Sequence, residues 1–221
     1  MATYQKITYC QKILKLLDTY KAGGLISVFI KIKKYVAENV YLRKYLWYEM
    51  NTGLPIRREY SKLPLSIEMN SRDEVMKWIS TEIYNGRCYK EEDIEAGVAI
   101  INNHYFPCVK MDRKIVGFMK VGCNDVYIKN FNKIFSVSKR SAFIYSVYVD
   151  PKYRNLNVAS VLISDTVNNL KALGFSKISM YIRSTNVSSI RVFTKLGAKK
   201  IGKVLQLKCF GLNIFTNPQI S

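Results

Sequence analysis

Strands and helices mixed around one sheet, a layered α/β or α+β domain behind an N-terminal helical extension, is the architecture this sequence predicts. Three observations carry it. The 221 residues are 48% hydrophobic and 13% aromatic, which suits a globular core and is too apolar for a disordered chain. Segments that alternate with period 2, such as Lys177–Arg183, interleave with segments of helical period, such as Val158–Leu173 and Val187–Leu196. Gly174 and Gly197 stand where those helical periods stop.

The elements follow in order. Ile7, Cys10, Leu14 and Leu17 recur at helical spacing, and Gly23-Gly24 supply a stop. A second stripe, Leu25, Val28, Phe29, Ile32, Val36, Val40, Trp47 and Met50, predicts a long basic amphipathic helix ended by Gly53 and Pro55. It suits either a membrane-surface helix over residues 25–50 or a helix packed on the next domain or on a second copy. The extension is therefore set at 1–56 and the domain at 57–221. Leu63–Met69 reads as a strand. Ser71-Arg72-Asp73-Glu74 forms a capping box for a helix that runs to about Tyr84. A second helix opens at Glu91-Glu92-Asp93 and ends near Asn102-Asn103. Tyr105–Met111 and Ile115–Val121 flank a turn at Asp112-Arg113-Lys114 and read as a hairpin. Residues 122–140 read as a long loop. Ala142–Val149 is an apolar strand, and Lys199–Phe210 closes the chain as another.

Charge is lopsided. The chain carries +19, with net +7 in residues 1–60, −2 in 61–111 and +14 in 112–221. A segment this basic attracts polyanions: nucleic acid, anionic lipid, a phosphorylated cofactor or an acidic protein. No zinc-finger, basic-zipper or aromatic RNA-binding signature supports specific nucleic-acid binding. The five cysteines are widely spaced and form no C-x-x-C, which speaks against a disulfide framework or a cysteine-rich zinc site, and no metal is expected. The single histidine, His104, is the only one a Ser-His-Asp or Cys-His hydrolase could use. No apolar leader opens the chain and no uncharged run reaches the ~18 residues of a spanning helix, so a reduced, cytoplasmic setting is expected.

The segment that carries chemistry is Tyr148-Val149-Asp150-Pro151-Lys152-Tyr153-Arg154-Asn155-Leu156-Asn157-Val158-Ala159. A strand ends, Pro151 turns the chain, a basic loop follows and a helix begins. A helix N-terminus offers unpaired amides and partial positive charge, and small Ala159 lets a ligand approach its first turn. Such a loop can cradle a pyrophosphate.

This segment resembles the acetyl-CoA motif of the GNAT superfamily of N-acetyltransferases: a strand ending in V-x-P, then (Arg/Gln)-x-x-Gly-x-(Gly/Ala), then a helix. Here it stands as Val149-Asp150-Pro151 and Arg154-Asn155-Leu156-Asn157-Val158-Ala159, with Asn157 in place of the central glycine. Asn is the residue that best tolerates the left-handed conformation a glycine would supply. A second block, Asn186 to Ala198, is similar to the family's Asn-x-x-(Ala/Ser)-x-x-x-Tyr-x-Lys-x-Gly-Phe, matching at Asn186, Ser189, Lys195 and Gly197. Two motifs in order, about 30 residues apart, weigh far more than either alone.

The resemblance implies a central mixed, mostly antiparallel twisted sheet of about 6–7 strands flanked by helices. It implies acyl transfer from acetyl-CoA to an amine without a metal. By the same resemblance the backbone of Val147, Tyr148 and Val149 meets the pantetheine arm, and Arg154, Asn155, Leu156, Asn157, Val158, Ala159 and Ser160 hold the pyrophosphate. Asn186, Ser189, Phe193 and Lys195 complete the coenzyme contacts. The family often has Tyr where Phe193 stands; Phe cannot protonate a leaving thiolate, so Tyr145, Tyr148, Tyr181 or water is left for that task. The acidic run Glu91 to Glu95, with Glu92 as candidate base, falls where the family walls its acceptor site, although the same carboxylates suit ordinary helix N-terminal charge. The acceptor expected is a small amine or amino sugar. An acidic acyl carrier protein as donor, a non-catalytic acyl-CoA-binding module, a membrane contact through residues 25–50 and a homodimer are the other expectations this reading leaves open.

Overall fold

The computed structural model describes residues 18, 20–33, 36, 40–53, 56, 59–69, 72–84, 104–123, 125–128, 131, 133–209, 212–216 and 219–220. The helix expected at residues 7–17, Ser71, the helix expected at 91–103 with Glu92, and Cys10 and Cys88 lie outside them.

The chain divides into two compact units. The first comprises Met1–Arg43 with Gln206–Ile214, and the second Lys44–Leu205 with Phe215–Ser221. In the first, residues 20–33 form helix α1. Gly23-Gly24 does not stop it: the helix continues, with Gly24 at φ 67° and the Ser27 hydroxyl donating to the Gly23 carbonyl at 2.8 Å. Leu25, Ile26, Phe29 and Ile30 are exposed on α1. No described helix is long and apolar enough to cross a membrane.

The helix expected to reach Met50 does not do so. Val40–Asn51 is a strand, β1. Its Tyr45 and Trp47 join one core cluster while Leu46, Tyr48 and Met50 join another. A strand buried on both faces reads as a near-continuous apolar run, which fits a helical stripe as well as an alternating one. The first boundary between the two units falls at Arg43/Lys44, within β1.

The second unit is built on β1 with β2 (Leu65–Glu68), β3 (His104–Tyr105), β4 (Cys108–Met111), β5 (Lys114–Gly122), β8 (Ser141–Val149), β9 (Lys177–Arg183), β10 (Lys199–Cys209) and β12 (Gln219–Ile220). Their order is β10-β1-β9-β8-β5-β4-β2, with β3 also on β5 and β12 also on β10. The strand count exceeds the 6–7 expected because β1 joins the sheet, the strand expected at Tyr105–Met111 is divided into β3 and β4, and the short β12 is added. Strand β11 (Leu212–Phe215) follows β10. The sheet is mostly antiparallel, and β8–β9 is a parallel pair within it.

The hairpin turn between β4 and β5 places Asp112 at φ 48° and Arg113 at φ 62°, the two successive left-handed residues of a type I′ turn. Residues 122–140, expected as a loop, contain a second hairpin, β6 (Asp125–Ile128) and β7 (Lys133–Ser136). Val126, Ile128 and Phe131 bury against Tyr45, Trp47, Phe143 and Tyr145. With only four residues per strand, its alternation is too brief to stand out in the sequence.

Helix α2 (Arg72–Tyr84) puts Val75, Met76 and Trp78 on Phe106, Ile115 and Phe118. Its Glu74 carboxylate meets Lys110 Nζ at 2.7 Å, and Glu68 of β2 meets the same nitrogen at 2.8 Å. Helix α3 (Val158–Ala172) lays Val158, Leu162, Ile163, Val167 and Leu170 against Val116, Met119, Ile144 and Ile178. Helix α4 (Val187–Lys195) adds Phe193 to that cluster. Gly174 (φ 88°) and Gly197 (φ 93°) end α3 and α4 at the left-handed positions the sequence marks.

Candidate functional site

The site is built where β8 parts from β9. Their parallel pairing runs from Ser141↔Lys177 to Ile144↔Met180. Beyond Met180, β9 continues beside β1, with Tyr181 opposite Trp47 and Arg183 opposite Tyr45. On its other side β8 stays with β5, but the register slips: Lys120 faces Ser146 and Val121 faces Ile144, so Tyr145 is an extra residue in β8. A bulge of this kind bends the strand away from its neighbour. Gly117 permits the close approach that follows, since a side chain there would meet the Tyr148 carbonyl at 2.8 Å.

Strand alternation then fixes which backbone groups face the gap. The Asp150 N–H donates to the Val116 carbonyl at 2.9 Å. Two and four residues back, Tyr148 and Ser146 also direct their N–H and C=O toward β5. Val147 and Val149 direct theirs the other way, past Ile144, where no described strand pairs with β8. The Val149 carbonyl accepts from Arg154 Nε at 3.1 Å. Of the three residues expected to offer backbone to a pantetheine arm, Val147 and Val149 face the gap and Tyr148 faces β5.

The loop after β8 is held from within. Asp150 Oδ1 accepts from the Lys152 N–H at 2.9 Å and caps a short 3-10 turn, Pro151–Tyr153. Asn155 (φ 63°) and Asn157 (φ 64°) are both left-handed, the conformation for which glycine and asparagine are suited. Asn157 is the N-cap of α3, yet its side chain does not cap the helix. Instead its Nδ2 donates to the Tyr60 carbonyl at 2.6 Å and to Glu59 Oε2 at 3.3 Å. The first helical bond of α3 is Val161 N–H to the Asn157 carbonyl, 3.1 Å. The amides of Val158, Ala159 and Ser160 precede it and have no partner inside the helix. Ala159 presents only a methyl group beside them. Partial positive charge gathers at this end of α3, with the cations of Lys152 and Arg154 in the same loop.

Other expected residues divide between packing and capping. Asn186 Oδ1 accepts from the Ser189 N–H at 3.2 Å and from Ser188 Oγ at 2.9 Å, so it caps α4. Phe193 is buried among Val158, Leu162, Ile182 and Leu196. Lys195 Nζ lies 2.6 Å from Glu59 Oε2. The Tyr148 ring stacks on Phe118 (5.6 Å, 24°), touches Trp78 (5.9 Å) and carries the Arg154 guanidinium 5.8 Å from its centre. Tyr181 stands in an aromatic cluster with Tyr45 (5.4 Å), Phe131 (5.1 Å) and Phe143 (6.1 Å). Both rings are half-buried and packed against aromatic neighbours.

Two features went unnoticed in the sequence. The sole histidine meets the bulge residue, His104 Nδ1 lying 3.0 Å from Tyr145 Oη. Lys120 is completely buried on β5, one residue from the slip, and burial pushes its ammonium down to about 8. Its cross-strand partner is Ser146. A lysine in an apolar strand signals this only once both faces of the strand are known to be covered. Glu59 and Tyr60 carried no signal, because a contact across about 100 residues has no periodicity. Among the described residues no group of three or more His, Cys, Asp or Glu could hold a metal ion.

A sequence profile of the acetyltransferase (GNAT) family matches residues 72–198, more than half of the chain, and the chain belongs to that family. No curated protein sequence matches it. Solved structures agree with its fold. A GNAT-family protein from Novosphingobium aromaticivorans is 15% identical with a TM-score of 0.51, over 76% of this chain and 65% of that one. A GCN5-related N-acetyltransferase from Sphaerobacter thermophilus is 12% identical with a TM-score of 0.52, over 87% and 59%. A conserved protein of unknown function from Staphylococcus epidermidis is 8% identical with a TM-score of 0.53, over 84% and 68%. The chain thus spans about two thirds of the length of these proteins.

Proposed function

We propose that this protein is an acetyl-CoA-dependent N-acyltransferase acting on a small primary amine or amino sugar in the cytoplasm. One observation carries the donor half: the N-terminus of α3, which has no side-chain cap, follows directly on a strand edge that no described strand occupies. The amides of Val158, Ala159 and Ser160 suit the CoA pyrophosphate, and the outward backbone of Val147 and Val149 suits the amides of the pantetheine arm. CoA brings an activated thioester as substrate. The protein's part is to hold it in the gap between β8 and β9 and to offer a backbone N–H there to the thioester carbonyl.

The acceptor half rests on nucleophilicity and field. An unprotonated amine attacks a thioester readily, and the +14 of residues 112–221 suits an anionic donor. Phe193 cannot donate a proton. A thiolate with a conjugate pKa near ~8.5 leaves without one.

Two measurements test this. Acetyl-CoA should raise the melting temperature in proportion to its binding, and thiol release should accelerate when primary amines are added one at a time. Stabilisation without thiol release from any amine would favour a non-catalytic CoA-binding module. No stabilisation by acetyl-CoA or free CoA would remove the donor site.

A further inference from the structure

Glu59 lies outside the residues that match the family profile, yet it stands at the centre of the donor loop's support. Its Oε2 accepts from Lys195 Nζ at 2.6 Å and from Asn157 Nδ2 at 3.3 Å. Its own N–H donates to Ser164 Oγ of α3 at 3.2 Å. The next residue's carbonyl accepts from Asn157 Nδ2 at 2.6 Å, and Ser61 Oγ donates to the Leu156 carbonyl at 2.8 Å. Residues 59–61 therefore grip the loop at Leu156 and Asn157, the first half of α3 and the end of α4. The Glu59 side chain is 14% exposed.

Asparagine at an N-cap has a strong alternative. In the extended conformation usual for a cap, its carboxamide oxygen accepts from the second or third amide of its own helix, which here are Ala159 and Ser160. That bond would occupy the amides assigned to the pyrophosphate. The left-handed backbone at φ 64° also costs asparagine more than glycine, although asparagine tolerates it better than other residues.

We infer that Glu59 is a positioning residue that keeps Asn157 from capping α3, and so keeps the anion site at that helix N-terminus open. Together with the Tyr60 carbonyl it engages the Asn157 carboxamide, which makes no capping bond to α3. Glycine, the family's residue at this place, needs no such restraint because it has no carboxamide and adopts φ > 0 freely. Glu59 and Asn157 act as one device standing in for one glycine. The inference rests on the donor-site reading above.

A double-mutant cycle on the full chain tests it, with CoA affinity measured by calorimetry and folding by circular dichroism. Glu59→Ala should weaken CoA binding roughly tenfold, the size of one capping bond. Asn157→Gly removes the competing carboxamide, and its own CoA affinity is the reference for the double variant. The double variant should return to within about twofold of Asn157→Gly, a rescue that a purely structural role for Glu59 would not give. If Glu59→Ala fails to fold, Glu59→Gln keeps the volume, and its weakening of CoA binding should vanish in the Asn157→Gly background. A double variant as weak as Glu59→Ala overturns the inference, as does a folded Glu59→Ala with unchanged affinity. A parent protein that binds no CoA refutes the donor-site reading instead.

Discussion

His104 Nδ1 and Tyr145 Oη are 3.0 Å apart, a bond that joins β3 to β8 across the intervening β5. Tyr145 is the extra residue of the β8 bulge, so the bond pins the strand at the point where it leaves β9. It lies among Val126, Phe131 and Phe143, whereas Ile144 beside it faces the cluster under α3. Tyr145→Phe should cost about 1 kcal/mol of stability through the lost buried hydrogen bond. CoA affinity should hardly change. Because His104 is the only histidine, its ring resonances need no assignment, and they should shift in this variant. Unmoved resonances would mean the bond does not form.

Ala159→Trp should abolish stabilisation by CoA. The indole would fill the space in front of the Val158, Ala159 and Ser160 amides while leaving the core under α3 intact. The check is a thermal melt with and without CoA, which reads binding through ligand linkage. An undiminished shift in a folded variant would move the phosphate site elsewhere.

Lys120→Met should alter the pH dependence of stability. Burial lowers the Lys120 ammonium from 10.5 to about 8 in the folded protein. Between those values the unfolded chain holds a proton that the folded one has released. This site therefore makes stability rise with pH from about 8 to 10.5, and the destabilising cost of the buried charge is fully present below 8. Methionine removes both the cost and the slope. Urea titrations at pH 7 and pH 10 should show the variant gaining most at pH 7. An equal difference at the two values would show that the buried group stays charged.

Phe193 separates packing from chemistry. It is buried at 4% exposure beside Val158 and Ile182. Phe193→Ala should cost about 3–5 kcal/mol by opening a cavity. Phe193→Tyr should keep or raise the rate of acyl transfer. A rate that falls in folded Phe193→Tyr would mean the new hydroxyl points into the core and not toward the donor.

Much of the proposed donor half is legible in the sequence because its elements are local. Lys177–Arg183 shows a clean alternation, Gly174 and Gly197 mark helix ends, and the loop from Pro151 to Ala159 carries its turn chemistry in order. Val40–Asn51 was not legible, since a strand buried on both faces loses its alternation and mimics a helical stripe. The division of backbone between Val147, Tyr148 and Val149 depends on the bulge at Tyr145, which exists only relative to β5. The pairings Glu59–Asn157 and His104–Tyr145 join residues 98 and 41 apart, and nothing in a linear pattern records them.

The contacts that Tyr148 makes with Trp78 and Arg154 make the protein its own optical probe. The chain has two tryptophans. Trp47 lies 5.3 Å from Phe143 and 5.5 Å from Phe135, within the aromatic cluster beneath the β6–β7 hairpin. Trp78 lies 5.9 Å from Tyr148, whose ring also meets Phe118 and the Arg154 guanidinium. Replacing Trp47 with Phe leaves a single tryptophan, one ring away from an arginine of the loop that follows β8. Its emission then follows the electric field at that loop, so a phosphate arriving there is seen as a change in colour or brightness, with no label attached.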